Sequence, residues 1–114
     1  MNAWIKNIPH SDVLSLAEQV EYLPGQIVSK TLAQNNYCSL TLFAFEKGEE
    51  ISAHESDGDA MITALDGQGE ITLGGTRHLL GSGQTIVMPA KIPHAVYAKE
   101  RFKMLLVVVF PIDR

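Results

Sequence analysis

Two histidines, His54 and His94, are the side chains of this chain best suited to chemistry. His54 closes the segment Gly48-Glu49-Glu50-Ile51-Ser52-Ala53-His54, and His94 follows the segment Gly83 to Pro93. Imidazole is the one side chain that both titrates near neutral pH and readily ligates transition metals. Two of them, each at the end of a strand-like segment, can share a metal ion, move a proton, or hydrogen-bond a common guest.

The elements that must position them read as strands. Turn signals recur at Lys47-Gly48, Asp57-Gly58, Asp66-Gly67, Gly74-Gly75, Gly81-Ser82-Gly83 and Pro89 to Pro93, and strand-sized runs fill the gaps. That rhythm predicts an all-β sandwich or barrel and excludes a doubly wound α/β sheet, which needs long helices between strands. Gln26 to Ala33, Tyr37 to Phe45, Thr85 to Met88, Ala95 to Ala98 and Phe102 to Phe110 are the expected strands. Met61 to Leu65 and Glu70 to Leu73 are expected to form a hairpin about Asp66-Gly67. A short helix is expected from Ser11, a good N-cap, ending before Leu23-Pro24-Gly25. No linker or repeat divides the chain, which reads as one domain over residues 1–114: an N-terminal arm and short helix over 1–25, then a barrel over 26–114.

Bulk properties remove several function classes. The 114 residues carry 9 Lys and Arg against 13 Asp and Glu, a net charge of -4 with no basic stripe. Nucleic acid and anionic membrane surfaces are therefore poor partners. The lone cysteine, Cys38, has no internal disulfide partner and reads as a small buried hydrophobe. The N-terminal residues lack the apolar stretch of a secretory signal, and the longest apolar run, Met104 to Phe110, is too short to span a bilayer. A cytoplasmic protein is expected.

The spacing of the glycines and histidines resembles the two sequence motifs of the cupin family from about residue 37 onward. In the first motif Gly48, His54 and Gly67 match, while Ser56 stands for the second histidine and Ala60 for the glutamate. In the second, Gly83, Pro89 and His94 match, while Lys91 stands for a glycine and Ala98 for an asparagine. The resemblance implies a jelly-roll β-barrel, the double-stranded β-helix. It also implies a metal site normally built from three histidines and a glutamate, of which only His54 and His94 remain.

The resemblance puts the face bearing His54 inside the barrel. Alternation then gives an expected pocket lined by Ser56, Ala60, Ile62, Met88 and Val96, with His54 and His94 as its active groups. Such a pocket suits a small-molecule ligand, with a divalent metal (zinc, iron, manganese or nickel) held weakly by the two histidines, or no metal at all. Asp59 is the candidate third ligand, although alternation points it outward and only a bulge would turn it in. The alternative is an isomerase or epimerase, metal-free or metal-dependent, or a dioxygenase, using the same histidines; the resemblance extends to cupins, sugar epimerases among them, that lack a metal and use a histidine base. His10 reads as solvated, and His78 as a strand residue paired with a neighbour.

The last strand is apolar on both faces: Met104, Leu106, Val108 and Phe110 on one, Leu105, Val107 and Val109 on the other. One barrel covers only one of these. A homodimer is expected, with Trp4 near the contact.

Overall fold

A computed structural model describes residues 4–112. Its β-branched and aromatic runs form seven strands between glycine-rich turns: β1 (Ile27–Gln34), β2 (Cys38–Phe45), β3 (Glu50–His54), β4 (Asp59–Leu73), β5 (Thr76–Gly81), β6 (Thr85–Met88) and β7 (His94–Val109). All pairings are antiparallel. The two long strands, β4 and β7, bend and run through both leaves of a jelly roll. One leaf has the order β1-β2-β7-β4-β6 and uses Phe102 to Val109 of β7. The other has the order β3-β7-β4-β5 and uses His94 to Ala98 of β7.

The expected hairpin at Asp66-Gly67 is not formed; β4 passes straight through it. Register shifts at Ala64/Asp66 and Gly67/Gly69 mark the bend. Gly67 has φ +73, and a Cβ there would lie 1.5 Å from the carbonyl oxygen of Arg101. Gly69 would put a Cβ 2.5 Å from the Phe102 ring. The glycines are there so that β4 can press against β7 as both strands turn the corner between leaves. The true hairpin turn is Gly74-Gly75, between β4 and β5.

The expected helix from Ser11 is also absent. Ser11 has φ 66, outside helical geometry, and only a four-residue 3-10 turn, Leu16–Gln19, forms further on. The arm is instead an irregular strap over the outer face of the first leaf. Val20 and Leu32 pack there with Leu42 and Ala44 in a second apolar cluster, apart from the barrel core. Tyr22 donates a hydrogen bond to Asp66 (2.5 Å), and Lys103 donates one to the carbonyl of Ala17 (2.5 Å). Beside them, Arg101 makes a two-pronged ion pair with Glu46 (2.7 and 3.0 Å).

The barrel core is built from inward rows of Phe45, Ile62, Ile71, Met88, Phe102 and Met104, all almost fully buried. The opposite, outward row Leu40, Val107, Met61 and Val87 crosses four strands, and Val87 and Val109 are more than half exposed. No helix among the described residues is long and apolar enough to cross a membrane.

Candidate functional site

His94 opens β7, flanked by Leu73 of β4 on one side and His54 of β3 on the other. Between the pairs Ile51↔Val96 and His54↔His94, β3 spends three steps where β7 spends two. This bulge is what matters locally. Strict alternation from the core-packed Ile51 would bring Ala53 inward and turn His54 out. The extra residue rephases the strand, so that His54 meets His94 on the same side. The two ring centroids are 4.2 Å apart, with the planes at 63°. His94 is buried (5% exposed) and His54 is exposed, so the pair spans the boundary between core and solvent at one end of the barrel.

Each ring is held by the main chain two residues before it. The Nδ1 of His54 is 3.1 Å from the carbonyl of Ser52, and the Nδ1 of His94 is 3.3 Å from the carbonyl of Ile92. A carbonyl can only accept, so Nδ1 carries a hydrogen in both rings; in a neutral ring the lone pair is then on Nε2. Burial pushes the His94 pKa below its usual value; the carbonyl of Ile92 opposes this, and the neighbouring His54 adds to it. His94 is thereby kept neutral. Among the described residues neither ring has a carboxylate partner.

The loops bearing the two motifs lock together beside the pair. The Lys91 N–H donates to the carbonyl of Ser56 and the Ala90 N–H to Asp59 Oδ1, each at 2.9 Å. Lys91 adopts φ 65, the conformation that the family glycine takes readily, so the backbone path survives the departure in residue type. The first link joins main-chain groups alone, and the second uses the Asp59 side chain.

Several expected site residues are placed differently. Asp59 does not join the histidines. β4 keeps strict alternation from Asp59 to Ala64, so its side chain faces outward, and its carboxylate is engaged by Ala90. No group of three or more His, Cys, Asp or Glu side chains suited to a metal gathers among the described residues. Ser56 lies past the end of β3; its hydroxyl donates to the carbonyl of Gly58 and accepts from the Gly58 N–H, closing the loop rather than facing a guest. Ala60, Ile62, Met88 and Val96 do face inward, but each is at most 3% exposed. They are packed core rather than the lining of a hollow, because Phe45, Phe102 and Met104 fill the space. Of the two histidines, His54 is the one open to solvent. The pairing of His78 with a neighbour is a backbone one, across from Ile71; its ring makes no hydrogen bond or ion pair.

Comparison with known proteins agrees with this architecture. Residues 41–110 match the model of the Cupin domain family. A conserved protein of unknown function from Streptococcus pyogenes is 49% identical over 96% of each chain, with a TM-score of 0.94. A cupin superfamily protein from Desulfitobacterium hafniense is 34% identical, with 96% of this chain and 100% of that one covered and a TM-score of 0.91. A salicylate 1,2-dioxygenase from Pseudoaminobacter salicylatoxidans is 14% identical, with 82% of this chain and 29% of that one covered and a TM-score of 0.69, a likeness of fold alone. No curated protein matches.

Proposed function

This chain belongs to the cupin family, and from that premise we propose that it binds a small molecule at the end of the barrel, on the Nε2 atoms of His54 and His94. The same two atoms are the ones that would hold a divalent transition ion. The observation that carries this reading is the closeness of the two rings, 4.2 Å between centroids, with each Nδ1 turned to a main-chain carbonyl. Both Nδ1–H groups are committed to main-chain carbonyls, which is how metal-binding and ligand-binding imidazoles are usually fixed from behind. That leaves the two Nε2 atoms for whatever occupies the site.

The donor set decides which ions fit. Two imidazoles without a carboxylate suit zinc or nickel better than manganese or iron, which draw on oxygen ligands. With two protein ligands instead of three the ion is held weakly, and its remaining positions are filled by water or by the bound molecule. Bound there, it would supply Lewis-acid polarisation of that molecule. His94 contributes a fixed, desolvated lone pair. His54, at the solvent boundary, contributes the second and is the first ring an arriving guest meets.

Acid–base turnover has less support. Neither imidazole is oriented by a carboxylate, and Tyr97, the nearest tyrosine in sequence, lies on the outward row with Glu50 and Glu70. Titration of metal-free protein with Zn²⁺ or Ni²⁺ by calorimetry tests the proposal. One site per chain is expected, weakened at least about tenfold by His54→Ala or His94→Ala. Absence of saturable binding of either ion, or binding untouched by both substitutions, would overturn it.

The outward row supports a homodimer. Leu40, Val107, Met61 and Val87 form an apolar strip across one leaf, and Trp4 on the arm is 92% exposed. Apolar surface gathered in this way favours burial against a second copy.

A further inference from the structure

The barrel has a seam along one side. Strands β5 and β6 are joined by the turn Gly81 to Gln84, yet each pairs only with β4, in different leaves. Between them lies a cleft of about 370 Å³ lined by His78, Leu79, Leu80, Gln84, Thr85 and Ile86. A cleft of that size is within the range of small-molecule sites.

Its side-chain polar groups include N–H donors and no carboxylate. His78 belongs to the inward row Ile51, Val96, Ile71, His78 and is half-buried, with no hydrogen bond or ion pair to its ring. Its ring nitrogens are not sealed from the cleft, so they are open to water or to a ligand. In every tautomer and charge state it keeps at least one N–H to donate. The Gln84 carbonyl oxygen accepts the Gly81 N–H at 2.9 Å, which leaves the amide NH₂ as the free end of that side chain. The Thr85 hydroxyl is taken up with Thr63 at 2.9 Å. No carboxylate lines the cleft, and Leu79, Leu80 and Ile86 supply apolar walls.

We infer that the β5–β6 seam is a second ligand site, separate from the histidine pair, that takes a small monocarboxylic acid with a compact apolar body. The carboxylate accepts from the His78 ring and the Gln84 amide, and the body packs against Leu80 and Ile86. An ammonium group finds no carboxylate there to pair with.

Two-dimensional ¹H–¹⁵N spectra during titration with benzoate test this, with benzylamine as the opposite case. The expected result is saturable shifts at the amides of Leu79, Leu80, Gln84 and Thr85 in the millimolar range, and none with benzylamine. His78→Phe keeps the ring volume but removes the N–H, and Gln84→Leu removes the amide. Each should weaken benzoate about three- to tenfold, the loss of one hydrogen bond. His54→Ala should leave benzoate binding unchanged, so failure of the metal reading would not touch this one. The inference is overturned if benzoate gives no saturable shift, if its binding survives both substitutions, if benzylamine binds equally well, or if the shifts centre on His54 and His94.

Discussion

Replacing Gly67 with alanine tests how the barrel turns its corner. If Asp66-Gly67 were an open hairpin turn, the cost would be the left-handed backbone alone, about 1–2 kcal/mol for a residue with a Cβ. In this structure the added carbon also meets the carbonyl oxygen of Arg101 at 1.5 Å, a main-chain atom held in β7. That oxygen cannot swing aside as a side chain would, so β4 and β7 must move apart at their closest approach. Forced overpacking of this kind adds about 1–3 kcal/mol, for a total of about 2–5 kcal/mol. Gly75 is the matched control: its φ is +87, and nothing lies within 4 Å of a Cβ built there. Gly75→Ala should therefore cost the backbone term only. Urea unfolding of both variants, with m-values checked for constancy, measures the difference. Equal losses, within about 0.5 kcal/mol, would refute the reasoning and return Asp66-Gly67 to an ordinary turn.

Further expectations concern the histidine and the outer face. Because burial lowers the His94 pKa, the folded chain binds fewer protons there than the unfolded one in mild acid. Stability should then fall as pH drops below about 6.5, the unfolded value, down to the folded pKa. His94→Gln should flatten that part of a melting-temperature profile between about pH 7 and 5; an unchanged slope would contradict the assignment. Light scattering of the wild-type chain should report a mass of twice 12.5 kDa. Met61→Lys, at the centre of the outward apolar row, should return it to the monomer without unfolding it, whereas a wild-type monomer would end the dimer proposal.

The strands and their order along the chain were readable because each run between turn residues has its own period, and Gly48, His54, Gly67, Gly83, Pro89 and His94 keep a recognisable spacing. Opposite faces were readable too: Phe43 and Phe45 pack in the barrel core, and Leu42 and Ala44 beneath the arm. The errors have a common cause, which is that local rules do not see the neighbour. Gly67 satisfies turn chemistry and strand bending equally well, and the difference is Arg101 on β7. Ser11 suits a helix cap by type, but the arm's path is set by its packing against Leu42 and Ala44 and by Lys103 holding Ala17. Alternation placed Ala60, Ile62, Met88 and Val96 inward correctly; whether the interior is hollow depends on the summed volume of side chains from every strand. The bulge that joins His54 to His94 lies in Ser52-Ala53, residues that carry no bulge signal of their own.

In the proposed site His54 and His94 offer their two Nε2 atoms to one guest. Long-range ¹H–¹⁵N NMR of the imidazole nitrogens, before and after addition of Zn²⁺, tests it most directly. Both rings are expected to carry a hydrogen on Nδ1, with the two Nε2 resonances moving together as the ion is added. An Nε2–H tautomer in either ring, or a zinc response confined to one of them, would contradict it.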